Sequence, residues 1–300
     1  MGPGLTPDAG DNRIMRVAFL GLGLIGGSIA CALREAGGDW WTGAWSPSGT
    51  GPRAALAAGA IDHAASTAPE LLEVADLVVL AAPPLACIGL IGRLGGAWRG
   101  ALRPGATVTD VASTKAELGA KALAAGLPWV GGHPMAGRES SGFGAADATM
   151  FRDRPWVITP ATGGGNAARV EALALACGAR PVSMDAALHD RLTAAISHVP
   201  LLTSVMLVEA MAGTAAGTDP DWEAASTLAA GGWRDTTRLA RGDTAMGAEI
   251  AATNAGPIVE RLHAVRARLD EWLALLEAPG GPDAAAIRER LDAARARLEG

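Results

Sequence analysis

Tyrosine is missing altogether from the 300 residues, and lysine occurs only at Lys115 and Lys121. No phenol can therefore move a proton, and no lysine chemistry is available in the second half of the chain. Cys31, Cys87 and Cys177 are odd in number, far apart and without C-x-x-C spacing, which argues against a disulfide framework and a zinc site. They read as buried thiols in a reducing cytosol, so a cytoplasmic location is expected. Net charge is −6 and the basic residues are scattered, leaving no stripe to track nucleic acid. The most apolar stretch, Leu77 to Gly92, is broken by Pro83-Pro84, and no membrane partner is expected. Residues 1–14 lack the apolar run of a secretory signal and read as a disordered tail.

What is present is a globular composition, 49% hydrophobic and 19% charged, in a chain long enough for two domains. From Arg16 onward the order strand, glycine turn, helix repeats, with strands expected at Val17–Leu20, Trp40–Trp45, Asp76–Ala81, Ala106–Val111 and Trp129–Gly131. Helical segments at 85–98 and 114–125 separate them. This alternation implies a doubly wound parallel sheet, which 156–159, a helix at 166–177 and 180–182 would extend. After Asp185 the strand signals stop. Residues 186–212 read as one long helix with a bend at Pro200, followed by helical segments at 221–230, 248–276 and 283–299. The expected domains are an α/β domain at 15–184 and an all-α domain at 185–300. The apolar helix at Leu201–Met211 suggests burial against a second copy, hence a homodimer.

Gly21-Leu22-Gly23-Leu24-Ile25-Gly26 fits G-x-G-x-x-G directly after the first strand and at the start of a helix. In that setting the first glycine makes a tight turn, the second admits a pyrophosphate to the backbone, and the third lets helix and strand pack closely. A dinucleotide site at Gly21, Gly23, Leu24, Ile25 and Gly26 follows, on a Rossmann-type fold. The fingerprint carries an acidic residue about 20 residues on to bind ribose hydroxyls. Here that stretch is Gly43-Ala44-Trp45-Ser46-Pro47-Ser48, without a carboxylate. A 2′-phosphate is then not repelled, and Ser46, Ser48 and Arg53 could bind one, which leans the cofactor from NAD toward NADP.

Gly131-Gly132-His133-Pro134 holds an imidazole on a stiff, side-chain-poor turn, with Glu139 six residues on. Asp110-Val111-Ala112-Ser113-Thr114-Lys115 follows one expected strand and His133 the next. A right-handed crossover brings both strand ends to one carboxyl edge, so Ser113 and His133 are expected beside the nicotinamide. Thr114-x-x-Glu117 reads as a capping box, and Ser113 is alternatively only a helix cap. His189 and His198 share one helix, where nine residues at about 100° each set them on opposite faces and prevent joint metal binding. One would reach the cleft and the other would be structural. The stretch from Gly232 to Arg238 supplies a guanidinium fork suited to a carboxylate.

Taken together, GLGLIGGS at 21–28, DVASTK at 110–115, GGHPMAGRESSG at 131–142, PWVITP at 155–160, HDRLTAAISHVP at 189–200 and WRDTTRLA at 233–240 resemble the prephenate/arogenate dehydrogenase family of tyrosine biosynthesis. The resemblance implies an NAD(P)-dependent oxidative decarboxylation of prephenate, or of arogenate, by a Rossmann-type domain followed by a helical dimerisation and substrate domain. It implies that His133 is the catalytic base and that Ser113 orients it beside the nicotinamide. It further implies that Arg238 holds a substrate carboxylate, that Glu139 and Asp235 belong to the polar network of the cleft, and that His198 lies on the substrate side. No metal is implied. Two positions depart from the family: Leu201 stands where a second histidine is frequent, and Met246-Gly247 where an aromatic is frequent. The residues after Pro200 end in a last helix, and no fused mutase or regulatory domain is expected.

Other nicotinamide enzymes fit less well. Short-chain dehydrogenases need a tyrosine, and 3-hydroxyacid or 6-phosphogluconate type enzymes need a lysine later than Lys121. A lactate- or malate-like dehydrogenase with a histidine base and an arginine clamp is the enzymatic runner-up. A catalytically silent dinucleotide-binding regulator is the alternative from another class.

Overall fold

A computed structural model describes residues 14–138 and 140–299. Apart from Ile14, the expected tail lies outside the described residues. Short apolar runs bounded by turns form the strands. β1 (Met15–Leu20) passes through the glycine turn into α1 (Leu24–Ala36), and β2 (Trp40–Trp45), α2 (Thr50–Ala57), β3 (His63–Ala64), α3 (Ala68–Leu72), β4 (Leu77–Leu80), α4 (Pro84–Gly95), β5 (Thr107–Asp110) and α5 (Ala116–Ala124) follow. The five strands are all parallel, in the order β3-β2-β1-β4-β5. The chain leaves β1 on one side and returns on the other, which opens a crevice between the carboxyl ends of β1 and β4.

Side chains alternate across this sheet, and both faces are covered. Val17, Phe19, Leu77 and Val79 pack with Ile29 and Leu33 on one side. Ala18, Leu20, Val78 and Leu80 pack with Leu71 and Ile91 on the other. Burial on both faces is why β1 and β4 are continuous apolar runs rather than alternating ones.

β6 (Gly132–Pro134), β7 (Pro155–Ile158), α6 (Ala167–Ala176) and β8 (Arg180–Ser183) build a second ladder in the order β6-β7-β8. The expectation that these strands simply extend the first sheet needs correction, because β6 runs antiparallel to β7. The strand expected at 129–131 is also displaced. Trp129 makes isolated bridges only, Val130 N donates to Val108 O at 2.9 Å, and regular pairing starts at Gly132. Tight packing explains the glycines here: a Cβ on Gly131 would lie 2.8 Å from Thr159 Oγ1, and one on Gly132 would lie 2.7 Å from Asp110 O. His133 consequently sits inside a strand rather than on a turn.

The next segment is a continuous helix of three parts: α7 (Ala186–Thr193), a π-helical turn (Ala194–His198) and α8 (Val199–Ala212). Asp185 caps its start, accepting from Ala187 N and Leu188 N. Pro200 cannot donate a backbone hydrogen bond into the preceding turn, and the wide π turn accommodates that gap where a simple bend was expected. A small hairpin, β9 (Gly213–Thr214) with β10 (Gly217–Thr218), interrupts the otherwise helical half. α9 (Trp222–Thr227), α10 (Gly231–Thr236), a 3-10 turn (Arg238–Arg241) and α11 (Thr244–Thr253) complete a first compact unit that ends at Asn254. The helix expected over 248–276 is broken at Asn254, whose backbone leaves the helical region (φ −130°, ψ 28°). The second unit, Ala255–Gly300, contains α12 (Ala255–Leu276) and α13 (Ala284–Glu299), joined by Arg290, which lies over the Trp272 ring and pairs with Glu271.

Candidate active site

The glycine loop meets three different demands. Gly21 has φ 96°, and a Cβ there would lie 2.4 Å from Ala81 O. Gly26 packs on the end of β4, where a Cβ would come within 2.9 Å of Ala81 Cβ. Gly23 has no atom within 4 Å of its would-be Cβ, so the backbone at the α1 N-terminus faces open space. No acidic residue occupies the first turn of α1. Leu24 is buried in the core and Ile25 is half-buried, so both offer backbone rather than side chain to a ligand. These features fit a dinucleotide pyrophosphate.

At the end of β2, Trp45 O accepts from Gly21 N at 2.8 Å, which brings Ser46 beside the glycine turn. Ser48 is exposed, and Arg53 Nη2 donates to Ser48 O at 3.1 Å across the start of α2. Residues 45–53 carry no carboxylate. Asp62, which lies beside β2, is engaged with Thr42 N at 2.7 Å and Arg34 at 2.8 Å.

After β6 the chain folds back onto α1. Phe143 lies where a Cβ on Gly27 would come within 2.8 Å of its ring, and Asp147 N donates to Ser28 Oγ at 2.9 Å. Arg138 pairs with Asp147. This strap ties the His133 strand to the glycine-loop helix. Glu139 lies outside the described residues.

The centre of the site is a buried polar cluster spanning β5, β6 and α7. Asp110, fully buried, pairs with the equally buried Lys115 and accepts from Ala112 N and Gly132 N, each at 3.1 Å. Burial pushes the Asp110 carboxyl up, against the pull of Lys115 and the two amides. One carboxylate thus anchors both the Ser113 loop and the strand that bears His133. The expected capping box does not form. Thr114 Oγ1 bonds Thr253 Oγ1 at 2.9 Å, and the first amides of α5, Lys115 N and Ala116 N, donate to Asp190 at 2.8 Å each. A carboxylate at a helix N-terminus meets both free donors and the favourable dipole, which a single threonine does not. Ser113 is half-buried on this loop and is not the α5 cap, since α5 begins at Ala116 with Lys115 at its N-cap.

His133 Nδ1 lies 2.8 Å from His189 Nε2, and His189 Nδ1 lies 2.8 Å from Asp190 Oδ1. His189 is 1% exposed and Asp190 2%, whereas the edge of His133 reaches solvent. Burial, with Lys115 and the two other histidines nearby, holds His133 well below the ordinary histidine range and therefore neutral. His198 belongs to the same cluster. Its Nδ1 lies 3.0 Å from Asn254 Nδ2, which also donates to Asp190 O, and its buried Nε2 has no partner among the described residues. Burial lowers its pKa to about 4.

The opposite-face reading of His189 and His198 is overturned by the π turn. A turn that takes up about one extra residue cuts their angular separation from roughly 180° to roughly 80°. Both rings reach the cluster, held by hydrogen bonds; among the described residues no group of three His, Cys, Asp or Glu could hold a metal. Asp235 on α10 and Arg238 at the start of the 3-10 turn are exposed. Leu201 and Gly247, the two departures, face each other: a Cβ on Gly247 would lie 3.4 Å from Leu201 Cδ2. Asp190, Asp110 and Asn254 were not singled out in the sequence, and His189 was there only as one of two histidines of which one would reach the cleft. The available signal was the HDR triplet beside SHVP on one helix.

Residues 29–182 match the family profile described as prephenate dehydrogenase, nucleotide-binding domain, and residues 185–287 match prephenate dehydrogenase, dimerization domain. The Streptomyces niveus protein named probable prephenate dehydrogenase NovF is 37% identical over 254 residues, 83% of this chain and 65% of that protein. The Lactococcus lactis prephenate dehydrogenase is 30% identical over 260 residues, 85% of this chain and 70% of that protein. The chain thus spans about two thirds of the length of these relatives. Among solved structures, Synechocystis arogenate dehydrogenase superposes with a TM-score of 0.77 at 28% identity, covering 95% of this chain and all of that one.

Proposed function

The chain belongs to the prephenate dehydrogenase family, and from that premise we propose that it oxidatively decarboxylates prephenate to 4-hydroxyphenylpyruvate in tyrosine biosynthesis. The observation that carries this reading is His133: a neutral imidazole on the strand that follows the Ser113 loop, strapped to the helix of a dinucleotide fingerprint. His133 takes the proton of the ring hydroxyl while Ser113 orients that hydroxyl toward it. When bound, the nicotinamide supplies the acceptor for the hydride that leaves the same carbon. The ring carboxylate departs as CO2, the electron pair it leaves behind completes the aromatic ring, and the ring oxygen takes the proton back from His133 to give the phenol. Aromatisation drives the step, so the protein has to position groups and receive one proton. His133, already neutral at cytosolic pH, is ready to accept it.

Substrate carboxylate recognition is assigned to Arg238, with Asp235, Glu139 and His198 in the surrounding polar set. The unpartnered Nε2 of His198 supports this for a ligand that reaches the cluster. Gly21, Gly23, Leu24, Ile25, Gly26 and Ser46 line the cofactor side. NADP is preferred over NAD, supported by the carboxylate-free loop at 45–53 and by Arg53 over Ser48. A homodimer is supported by the match of 185–287 to a dimerization domain and by the exposure of Leu188, Leu192 and Ile196 along α7 and the π turn. By length and composition the helix Ala186–Ala212 could cross a membrane. Its buried His189, Asp190 and His198 favour a protein-covered helix instead. The location proposed is cytoplasmic, supported by the buried Cys87 and Cys177, whose thiols burial pushes up to about 12 and so keeps protonated.

Arogenate is the second substrate, favoured by the likeness to the Synechocystis arogenate dehydrogenase. Offering prephenate and arogenate each with NAD and NADP, while following reduced nicotinamide absorbance, tests the reading. Prephenate with NADP is expected to give the highest kcat/KM. Turnover of neither substrate with either dinucleotide would refute it.

A further inference from the structure

We propose that His189 and Asp190 form a relay behind His133 that fixes which ring nitrogen is the base and shares the charge that base acquires. The inference deepens the dehydrogenase reading and rests on it for the identity of the proton donor. The geometry itself is independent of substrate.

Asp190 is the fixed end. Its carboxylate accepts from Lys115 N and Ala116 N at the start of α5, at 2.8 Å each, and it is 2% exposed. So placed it stays an acceptor, and the ring facing it, His189, must present Nδ1–H at 2.8 Å. A neutral His189 with its proton on Nδ1 has only a lone pair on Nε2. That lone pair faces His133 Nδ1 at 2.8 Å, so His133 must carry its own proton on Nδ1 and leave Nε2 bare. The tautomers of both rings follow from one carboxylate. The bare nitrogen is then the only basic atom His133 can turn toward a substrate.

The proton balance is simple. The substrate hydroxyl gives its proton to His133 Nε2, and the imidazolium so formed keeps Nδ1–H against the His189 lone pair. His189 Nδ1–H in turn stays on Asp190, which supplies the countercharge without taking up a proton. No oxidant or further reactant is needed for this transfer. Among the described residues, the charged and titratable groups around His133 are Lys115 and Asp110 from the β5 side, His189 and Asp190 from α7, and His198 from the π turn. Lys115 is neutralised by Asp110, which leaves Asp190 as the carboxylate able to support a charged His133 through His189.

Asp190→Asn tests the relay, because it removes the countercharge that His189 transmits to a protonated His133. The expected result is a fall in kcat of roughly 10²–10⁴-fold, with KM and the NADP dissociation constant within about twofold of wild type. The acid limb of the kcat profile should also move to lower pH. His189→Gln, which removes the imidazole that transmits the Asp190 countercharge to His133, should lose kcat similarly. In the wild-type protein, 15N-imidazole NMR should show Nδ1 protonated and Nε2 bare on both His133 and His189. Wild-type-like kcat and pH profile in Asp190→Asn would overturn the proposal, as would a wild-type spectrum with a proton on His133 Nε2. If Asp190→Asn does not fold, the wild-type spectrum alone decides. Lack of wild-type turnover would defeat the dehydrogenase reading, while the spectrum would still decide the relay.

Discussion

At the scale of single residues, a methyl group added at Gly21 would lie 2.4 Å from Ala81 O, whereas one added at Gly23 meets nothing within 4 Å. Gly21 also sits at φ 96°, a region that side chains rarely adopt. Gly21→Ala should therefore destabilise the fold, by more than about 1 kcal/mol. Gly23→Ala should melt within about 2 °C of wild type yet bind dinucleotide at least tenfold more weakly, since its methyl occupies only the space a pyrophosphate would use. Calorimetry and fluorescence titration separate the two effects; strong destabilisation by Gly23→Ala would contradict this assignment. These glycines and the Ser113 loop were legible in the chain because fixed spacing after a strand dictates their place, whereas His133 lies within β6 instead of following a strand. Asp190 was not, because its two roles, capping α5 and holding His189, depend on a partner about 75 residues away in sequence.

At the scale of elements, the π turn at Ala194–His198 is the feature that helical periodicity missed. A uniform 100° step placed His189 and His198 on opposite faces, and one inserted residue near Pro200 brought both to one cluster. The break at Asn254 was hidden for a similar reason. Residues 248–276 have helical composition throughout, but the Asn254 side chain is needed at Asp190 O and His198 Nδ1. Burying a neutral His198 in this cluster makes stability depend on pH. Its pKa is about 4 in the folded protein and about 6.5 unfolded, so between those values the unfolded chain binds more protons. Stability from this group is complete above pH 6.5 and is lost as pH falls toward 4, on the order of 3 kcal/mol in all. His133, held low by the same burial, acts in the same direction. Urea unfolding at pH 7 and pH 4.5 should show this loss in wild type and a smaller one in His198→Gln; equal losses would contradict it.

For the whole molecule, the doubly wound order was readable because both faces of the sheet are covered, which turns strands into apolar runs between glycines. The antiparallel step at β6 was not readable, since it is set by the close packing of Gly131 and Gly132 on Thr159 and Asp110. The exposed Leu188, Leu192 and Ile196 carry the expectation of a second subunit. Light scattering should give twice the chain mass, and Leu192→Arg with Ile196→Arg should give a monomer; a wild-type monomer at micromolar concentration would rule the dimer out.

The central claim is that His133 receives the substrate proton, and His133→Asn tests it most directly. In the prephenate assay with NADP, the variant should bind dinucleotide as wild type does while kcat falls by roughly 10³-fold or more. Turnover within a few fold of wild type would contradict the account.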